Sequence, residues 1–478
     1  MMQLPKEIIE ILLKLQENGF EAFAVGGCVR DLLLNRTPED WDVTTNAKPE
    51  EIQKIFSDHF YENHFGTVTV KTDSEDPTLK EIQVTPYRIE DKYSDKRHPT
   101  DIKFVANLED DLGRRDFTIN AMAMGLDGKI IDPFDGEGDL KKGFLKAVGK
   151  PEERFGEDAL RLIRGTRLAT ALGFKIEEKT KEAIQKNAGW LEAISKERTR
   201  DEIIKTINSE WAHEGILLLE ETGLLKYILP ELREGIGVTQ NLHHIYTVWE
   251  HNILALKYAV EKEYSFEIRL ASLFHDIGKP RTKRGEGKYS TFYGHDVVGA
   301  RMVAQIMARL KFPNDIAEKI IKLVRFHMFF YNVGEVTESS VRRLLVNVGK
   351  ENIYDLIKVR EADRIGSGRP KAVPYKLRHL KYVIEKVSSD PISVKMLKVN
   401  GQDVMKELNV APGPKIGLIL NSLLAEVLDD PARNTEEYLI ERIRELDKKS
   451  PEELKSALQK IEQAQEEDEK ERMKKYYL

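Results

Sequence analysis

Ala22–Thr45 constrains the fold of this chain more than any other segment, because it combines two strand patterns, a glycine turn and a short helix pattern. The apolar run Phe23–Val25 enters two adjacent glycines, and a leucine-rich helical segment follows them. A Thr-Pro turn then leads into a second predicted strand that carries Asp40 and Asp42. Alternate residues of a strand point to the same face. The pattern therefore predicts two carboxylates side by side, with Trp41 on the opposite face.

The same segment predicts a site for a phosphate-bearing ligand. Two carboxylates are hard oxygen ligands that suit Mg²⁺, which takes its remaining ligands from water and substrate phosphates. Gly27 allows the backbone to approach a phosphate, and Arg30 adds a guanidinium fork that can bind one. Either motif alone has a plainer explanation, since a D-x-D pair is more often a solvated turn. Together they indicate phosphoryl-type transfer from a nucleoside triphosphate, with Asp40 and Asp42 as the catalytic metal ligands.

Three motifs carry a resemblance to a known family. GGCVRD followed by DWD resembles the head of the nucleotidyltransferases of the DNA polymerase beta superfamily. RRDFTINAMA at Arg114–Ala123 and EDALRLIRGTRLATALGF at Glu157–Phe174 are similar to the class II branch, which holds the CCA-adding tRNA nucleotidyltransferases and the bacterial poly(A) polymerases. The resemblance extends over most of the chain. It implies an α+β fold, with a small polymerase-beta-like α/β head followed by an all-helical neck, an HD body and a tail.

Chain length and net charge limit how the chain can be organised. Because 478 residues exceed one ordinary core, we expect a head at 1–150, a neck at 151–225, a body at 226–375 and a tail at 376–478 that contacts tRNA. A net charge of −6 means that an RNA site must be a local basic surface. One cysteine excludes an intrachain disulfide. The sequence has no signal-peptide pattern and no membrane-spanning apolar run, so we expect a cytoplasmic protein without a membrane partner.

A helix pattern over Glu157–Leu172 carries the residues that the resemblance links to base selection. Asp158 and Arg161 are three residues apart, so a continuous helix would make them neighbours. Taken alone, they would form an ion pair worth about 0.2–0.5 kcal/mol. The resemblance instead implies that the carboxylate accepts from the exocyclic amine of cytosine or adenine, while the guanidinium donates to the neighbouring ring acceptor. Uracil and guanine would leave these buried charges unpaired, which is costly.

Three further arginines complete the predicted nucleotide site. Arg115 belongs to the arginine pair that the resemblance assigns to the nucleotide, and its expected role is to contact the triphosphate. Arg164 and Arg167 continue a row that starts at Arg161, but a three-residue interval winds about the helix axis, so the row cannot face one base. The resemblance implies that both bind nucleotide. We expect them to contact phosphates or tRNA, or to hold the base-selecting residues in place.

The segments between these motifs complete the predicted head. Lys48–Phe60 predicts a helix, whereas Thr67–Lys71 and Glu81–Arg88 predict strands, the second of them beside the D-x-D strand. The family usually has Glu where this second strand has Gln83, with Glu81 two residues earlier on the same face, so the sequence leaves the identity of a third acidic ligand open. The polar segment Glu90–Thr100 predicts a mobile loop. In CCA-adding enzymes the corresponding loop is needed for the switch from C to A addition, so the resemblance favours full CCA addition.

The body contains a pattern of histidine and aspartate. LFHDIGKP at Leu273–Pro280 and a later EADRIG segment resemble the HD domain of metal-dependent phosphohydrolases. That pattern implies His251, His275, Asp276 and Asp363 as a metal set, and histidine with carboxylate suits Mn²⁺, Ni²⁺ or Zn²⁺. The open alternative is a fold remnant that holds no metal. With a metal, the expected reaction is hydrolysis of 2′,3′-cyclic phosphate or phosphomonoester ends. The histidines of the later GHD and RFH motifs have no assigned role.

The sequence as a whole predicts the addition of CCA to tRNA from CTP and ATP, with Mg²⁺ in the head and release of pyrophosphate. The alternatives within the same chemistry are an A-adding or CC-adding partial enzyme and a poly(A) polymerase. An alternative of another class is an HD phosphohydrolase or an RNA-binding protein with an inactive head. In the neck, Arg198, Arg200 and Lys205 either face RNA or line a solvated helix face.

Overall fold

The computed structural model of the protein describes residues 4–62, 66–93, 99–105, 107–241, 245–329 and 331–477. The chain divides into two compact units. The first consists of Met1–Arg233 with Ile306–Phe312, and the second of Glu234–Gln305 with Pro313–Leu478. The segments predicted as head and neck both lie in the first unit, and the tail lies in the second. The finer division into four segments stays a prediction.

The first unit contains the strands that the described residues form, together with the helices that pack around them. Its strands are β1 (Ala22–Val25), β2 (Asp42–Thr45), β3 (His59–Glu62), β4 (Thr67–Lys71), β5 (Glu81–Pro86), β6 (Arg88–Tyr93), β7 (Pro99–Phe104), β8 (Ala123–Met124), β9 (Ile130–Ile131), β10 (Phe144–Leu145) and β11 (Lys175–Ile176). Its helices are α1 (Lys6–Glu17), α2 (Gly27–Leu33), α3 (Pro49–Ile55), α4 (Leu108–Gly113), α5 (Gly136–Lys142), α6 (Pro151–Glu157), α7 (Leu160–Leu172), α8 (Glu178–Asn187), α9 (Lys196–Asn208), α10 (Ala212–Glu221), α11 (Leu225–Ile228) and α12 (Pro230–Arg233).

A seven-stranded mixed sheet forms the centre of the head, in the order β3-β4-β5-β2-β1-β8-β9. Strand β2 lies beside β5, as the sequence predicted, and the structure shows that this pairing is parallel, whereas β2 pairs with β1 in the antiparallel sense. The β2–β5 register sets Asp42 opposite Gln83. Along β5, Ile82 and Val84 are buried while Glu81 and Gln83 are exposed. One face of the sheet therefore builds the core, and the alternate residues at this end of β2 and β5 remain available for a site.

The core beneath the sheet comes from regular hydrophobic spacing. In α1, Ile8, Ile11, Leu12 and Leu15 are buried, at the i, i+3, i+4 and i+7 positions of one helix face. They pack in the same cluster as Trp41, which is 4% exposed. The prediction that Trp41 points away from the acidic site is confirmed. Its indole anchors the start of β2 and so fixes the backbone on either side of it.

Two predictions for the head segments were wrong. The helix predicted over Lys48–Phe60 ends at Ile55, and His59–Glu62 forms β3 instead, paired with β4. The segment predicted as a loop over Glu90–Thr100 lies mainly in an antiparallel ribbon of β6 and β7. Cross-strand pairing decides both cases, and local polarity does not reveal it. Residues 94–98 of the predicted loop lie outside the described residues.

The second unit is helical, and its helices follow one another with short connections. They are α13 (Val248–Glu261), α14 (Phe266–Phe274), α15 (Lys279–Thr282), α16 (His295–Arg309), α17 (Asn314–Phe326), α18 (Glu338–Val348), α19 (Ile353–Gly366), α20 (Tyr375–Val387), α21 (Gly401–Leu408), α22 (Pro414–Asp429), α23 (Glu436–Asp447) and α24 (Pro451–Tyr477), of which the end of α16 belongs to the first unit. Helices α13, α14 and α19 pack against one another. In the part of the chain that the structure describes, no helix is both long and apolar enough to cross a membrane.

Candidate functional sites

The glycine turn brings the backbone of the head close to an arginine. Gly26 has φ +87°, a conformation that a residue with a side chain rarely adopts. A Cβ atom at Gly26 would lie 2.8 Å from Nη1 of Arg115, which shows how closely the turn approaches this guanidinium group. Gly27 then begins α2. The turn therefore places the start of a helix beside the guanidinium group that was predicted to contact the triphosphate.

The two predicted metal ligands interact, although they do not share a strand. Strand β2 begins at Asp42, and Asp40 lies in the bend that precedes it, so the prediction that one strand carries both was wrong. Burial raises the pKa of the Asp42 carboxyl, and the negative charge of Asp40 raises it further. The guanidinium groups of Arg115 and Arg164 oppose this rise. The site thus holds two mutually repelling carboxylates that a cation would stabilise.

Arg30 has a different environment from the predicted phosphate ligand. Its Nε and Nη2 atoms donate to the two carboxylate oxygens of Asp31, each at 2.8 Å, and Nη1 donates to Oδ1 of Asn120 at 2.7 Å. The fork is therefore already bound to protein acceptors. In this arrangement Arg30 connects α2 to the turn that contains Asn120, which sequence analysis did not assign to the site.

Arg115 retains donor capacity near the carboxylates. Its Nη2 lies 3.7 Å from Oδ2 of Asp111, and within the described residues its buried Nε has no hydrogen-bond partner. Burial raises the pKa of Asp111, but Arg114 and Arg115 lower it more. Asp111 also accepts from Thr44 Oγ1 at 3.1 Å. A buried, ionised Asp111 therefore holds the arginine pair beside β2 while leaving part of the Arg115 fork available.

The predicted continuous helix that carries Asp158 and Arg161 is interrupted. Asp158 has φ −135° and ψ 109°, between the end of α6 and the start of α7. Its carboxylate accepts from the Leu160 N–H at 2.9 Å and from Arg198 Nη2 at 3.0 Å. Aspartate is a helix-capping residue, and its side chain binds a free N–H at the start of α7. Asp158 and Arg161 are therefore not helical i, i+3 neighbours, contrary to the prediction, whereas the predicted helix end at Gly173 is confirmed by its φ of +68°.

Protein partners also fix the position of Arg161. Its Nη1 donates to Glu157 Oε2 at 2.6 Å and to the Arg154 carbonyl at 3.0 Å, and its Nη2 donates to the Arg114 carbonyl at 3.0 Å. The residue is 9% exposed. The bond to Arg114 connects α7 directly to the RRD motif of the head. The structure thus places the predicted base-selecting arginine and the predicted triphosphate arginine in one continuous network.

The later arginines of α7 form ion pairs within the protein. Arg164 binds Oδ2 of Asp116 through Nε at 2.9 Å and Nη2 at 2.7 Å. Although burial raises the pKa of Asp116, Arg164 and Arg161 hold it well below its usual range. Arg167 Nε donates to Glu202 Oε2 at 2.8 Å. Of the predicted roles, these contacts support that of holding the neighbouring residues in place.

The body brings together the four residues of the predicted metal set. Nε2 of His251 lies 2.8 Å from Nε2 of His275, 3.0 Å from Asp276 Oδ2 and 3.4 Å from Asp363 Oδ1. His275 Nε2 lies 3.4 Å from Asp276 Oδ2 and 3.6 Å from Asp363 Oδ1. Burial lowers the pKa of His275, but the two aspartates raise it to about 10. The sequence therefore predicted correctly that these residues converge.

Sequence analysis missed three further members of this cluster. His295 Nε2 and His327 Nε2 lie 3.2 Å and 3.6 Å from Asp276 Oδ1. Lys279 Nζ lies 2.5 Å from Asp276 Oδ2. The histidines belong to the GHD and RFH motifs, and each lies at or next to the end of a helix that packs around the cluster. Their motifs were visible in the sequence, but only the fold brings them to the same aspartate.

Comparison with known proteins shows which family this chain belongs to. A family model of the poly(A) polymerase head domain matches residues 22–146, one of the RNA- and SrmB-binding site of polymerase A matches 173–236, and one of tRNA nucleotidyltransferase domain 2 matches 296–443. The chain is 34% identical over 451 residues to a CCA-adding enzyme of Streptococcus thermophilus, which covers 91% of this chain and 96% of the relative. This chain belongs to the family of the CCA-adding enzymes.

Other members of the family extend the comparison. An A-adding tRNA nucleotidyltransferase of Deinococcus radiodurans is 36% identical over 331 residues, which are 66% of this chain and 74% of the relative. Among solved structures, the CCA-adding enzyme of Bacillus stearothermophilus in complex with CTP is similar, with a TM-score of 0.64 and 26% identity. The match covers 93% of this chain and 100% of that chain. The predicted family and fold class are confirmed, with a polymerase-beta-like head and a helical remainder.

Proposed function

We propose that this protein adds CCA to the 3′ end of tRNA, using CTP and ATP and releasing pyrophosphate. The observation that carries the proposal is the meeting of Asp40, Asp42 and the partly unpartnered Arg115 beside the glycine turn. The end-to-end similarity to a CCA-adding enzyme supports the same conclusion. In this reaction the 3′ oxygen of tRNA forms a bond to the α-phosphorus, and the bond from the α-phosphorus to the oxygen that bridges it to the β-phosphorus breaks. Pyrophosphate leaves with that oxygen, and the hydroxyl proton passes to solvent.

Asp40 and Asp42 would hold Mg²⁺ in the head. The fit of the ion rests on the donor set, because both groups are carboxylates, which are hard oxygen ligands. The charge of Asp40 also raises the pKa of the Asp42 carboxyl, and a cation would offset this effect. When bound, Mg²⁺ supplies charge that stabilises the triphosphate and lowers the pKa of the attacking hydroxyl. The protein contributes the rigid placement of Asp42 at the start of β2, with the uncharged Gln83 on the neighbouring strand.

Arg115 and Gly27 bind the phosphates in this proposal. Arg115 lies next to the turn and lowers the pKa of Asp42, so its charge acts on the same region. Gly27 lets the triphosphate approach the start of α2. Arg30 has a positioning role instead, because its fork is bound to Asp31 and Asn120.

Asp158 and Arg161 select the base. Protein partners hold both side chains in place, so neither side chain has to become ordered when the nucleotide binds. The carboxylate of Asp158 accepts from the exocyclic amine of cytosine or adenine, and Arg161 donates to the adjacent ring nitrogen. Arg164 and Arg167 maintain this part of α7 through Asp116 and Glu202. Uracil and guanine are rejected because their carbonyl groups meet the carboxylate without a hydrogen-bond donor.

A tRNA lacking its last three nucleotides tests the proposal when it is incubated with labelled CTP, ATP or both. We expect two C residues with CTP alone and the complete CCA with both nucleotides. Addition of A only to a CC end would indicate a partial enzyme, and long A tails would indicate a poly(A) polymerase. No incorporation would contradict the proposal. We place the protein in the cytoplasm, where such tRNA ends are repaired.

A second candidate activity, phosphoester hydrolysis in the body, is favoured by the convergence of His251, His275, Asp276 and Asp363. These residues would hold one Mn²⁺, Ni²⁺ or Zn²⁺ ion. The test uses protein with Asp42→Ala in the head, RNA ending in 2′,3′-cyclic phosphate or phosphomonoester, and each divalent ion in turn. Release of phosphate or opening of the cyclic end is expected, and no product with any ion would contradict this activity.

A further inference from the structure

Gln83 lies beside the candidate metal ligand Asp42, on the neighbouring strand of the sheet. The two residues are Cα partners in the parallel pairing of β2 with β5, and adjacent strands lie about 4.8 Å apart. The next pair along, Val43 with Val84, is buried in the core of the head. Successive side chains of a strand point to opposite faces, so Asp42 and Gln83 share the face that points away from this core. Because Asp42 is half-buried and Gln83 is exposed, the carboxamide of Gln83 is open to a ligand that binds at Asp42.

The neighbours of Asp42 on this face of the sheet carry hydroxyl or amide groups. Gln83 has Thr69 as its antiparallel partner on β4. Two residues further along β5, the hydroxyl of Thr85 lies 3.2 Å from the hydroxyl of Thr67. On this part of the face, β4 and β5 therefore provide hydrogen-bonding groups without charge.

Glu81 is an acidic residue of β5 on the same face, and its neighbour is different. It precedes Gln83 by two residues, which is about 7 Å along a strand. Strand β2 begins at Asp42, and its paired register with β5 begins at Gln83, so Glu81 lies before the first pair. The Cα partner of Glu81 on β4 is Lys71, and opposite charges at facing positions of neighbouring strands attract each other. The register thus places Glu81 opposite a cation and places an amide opposite Asp42.

The number of charged ligands is one property that sets how tightly an oxygen site holds a divalent cation. Asp40 and Asp42 supply two carboxylates, and the positive charges of Arg115 and Arg164 act on Asp42 in the opposite sense. Because Gln83 is neutral, it adds no third charge. Two carboxylates hold a cation less tightly than three, so the ion needs further oxygen ligands, and the oxygens of a triphosphate can supply them.

We propose that Gln83 makes metal binding in the head depend on the nucleotide. The inference rests on the proposed function, in which Asp40 and Asp42 hold Mg²⁺. With an amide at position 83, the protein without nucleotide offers two carboxylates, and the phosphates of CTP or ATP provide the remaining ligands. A carboxylate at the same position would let the protein hold the ion before the nucleotide binds. Gln83 therefore determines the order in which the site is assembled.

Binding of Mn²⁺ to the full-length protein tests the proposal, with electron paramagnetic resonance as the measure of the free ion. Parallel mixtures with Asp42→Asn give the Mn²⁺ that CTP and other parts of the chain bind, and the head contributes the difference. Without nucleotide, we expect Gln83→Glu to bind Mn²⁺ about tenfold more tightly than the parent, because it adds a charged ligand. CTP should tighten Mn²⁺ binding in the parent, and the tightening should be about tenfold smaller in Gln83→Glu, because the two ligands then supply the same missing charge.

Two matched variants separate a ligand from a general effect of charge. Gln16→Glu adds the same charge at an exposed position of α1 and should change the Mn²⁺ affinity less than about twofold. Glu81→Gln removes the acidic group of β5 and should likewise change it less than about twofold, because Glu81 lies opposite Lys71. Gln83→Asp is a second variant at the site and should raise the affinity in the same direction as Gln83→Glu. Circular dichroism shows whether each variant is folded.

The outcomes distinguish this inference from the proposed function. If Gln83→Glu and Gln83→Asp both bind Mn²⁺ like the parent while Asp42→Asn removes the CTP-dependent binding, the role of Gln83 is overturned and the metal assignment stands. An equal rise in Gln16→Glu, or a loss of about tenfold in Glu81→Gln, also overturns the role of Gln83, the latter by making Glu81 a metal ligand. If Asp42→Asn removes no Mn²⁺ binding even with CTP, the metal assignment fails, and this inference fails with it.

Discussion

The acidic sites of the head and the body differ in whether the protein itself supplies partners for their charged groups. In the head, the carboxylates of Asp40 and Asp42 repel each other beside an arginine with spare donors, and Asp40 is exposed. In the body, four histidine rings and two aspartates are at most 9% exposed and point at one another. The head site therefore needs a substrate to complete it, whereas the body cluster supplies most of a coordination shell by itself.

The two sites also differ in the chemical type of their candidate ligand atoms. The head offers carboxylate oxygens, which suit Mg²⁺ together with the phosphate oxygens of a substrate. The body offers imidazole nitrogens on rings that backbone carbonyls hold in place, and such nitrogens suit transition ions. Similar acidic residues would thus form a metal site that a substrate completes or one that the protein completes itself, according to burial and to their neighbours.

Replacing Asp42 should have the largest effect on nucleotide incorporation. Asp42→Ala removes one of two carboxylates that hold the metal, and loss of metal stabilisation costs several kcal/mol. We expect incorporation to fall by about three powers of ten. The measurement is the initial rate of CTP incorporation into tRNA at saturating Mg²⁺. Asp127→Asn, in a surface turn, is the matched control and should change the rate less than about twofold, while an Asp42→Ala rate within tenfold of the parent would refute the assignment.

Replacing Arg167 should affect stability more than nucleotide binding. Arg167→Ala leaves the Glu202 carboxylate, which is 5% exposed, without its ion-pair partner. Breaking a buried pair by removal of one partner costs about 3 kcal/mol. Urea unfolding followed by circular dichroism should show this loss, and adding Glu202→Gln should restore part of it. A large rise in the KM for CTP with unchanged stability would instead place Arg167 in direct contact with the nucleotide.

Replacing Asp158 should relax base selection. Without its carboxylate, the site no longer penalises a carbonyl at the position of the exocyclic amine. We expect the preference for CTP over UTP, as a ratio of kcat/KM, to fall about 10- to 100-fold, corresponding to about 1–3 kcal/mol. Arg198→Gln should have a smaller effect, because Asp158 keeps its bond to the Leu160 N–H. Unchanged rejection of UTP in Asp158→Ala would show that the selecting group lies elsewhere.

The pH dependence of incorporation gives the smallest predicted effect. Burial and Asp40 raise the pKa of Asp42 above the value of an ordinary aspartate. A protonated carboxyl cannot hold the metal, so at limiting Mg²⁺ the rate should fall as pH drops through this raised pKa, by up to tenfold per pH unit. Higher Mg²⁺ should shift the fall to lower pH, because the metal competes with the proton. A rate profile that is insensitive to Mg²⁺ concentration would contradict this competition.

The sequence predicted the structure best where the functional residues lie in a short, continuous motif. The glycine turn and the strand beside β2 were predictable from short motifs, whereas the convergence of the four body residues followed from the resemblance to the HD domain. The break at Asp158 was not predictable from helical periodicity, since the capping bond to Leu160 and the pair with Arg198 are formed only in the folded chain.

Long-range pairing explains the remaining differences. Arg30 is followed directly by its partner Asp31, but the third contact, with Asn120, is distant in sequence. His295 and His327 reach Asp276 only because helices bring separate motifs to one point. The sheet neighbours of His59–Glu62 likewise decide its conformation. Residue types thus predicted the chemistry, whereas tertiary contacts decided which donors remain available for a ligand.

The most direct test of the head site is a crystal structure of the protein with CTP and Mn²⁺, which gives an anomalous signal in place of Mg²⁺. We predict a peak between Asp40, Asp42 and the triphosphate, with the phosphates near Arg115 and the cytosine edge against Asp158 and Arg161. A nucleotide bound away from the glycine turn, with no anomalous peak at the two carboxylates, would contradict the account.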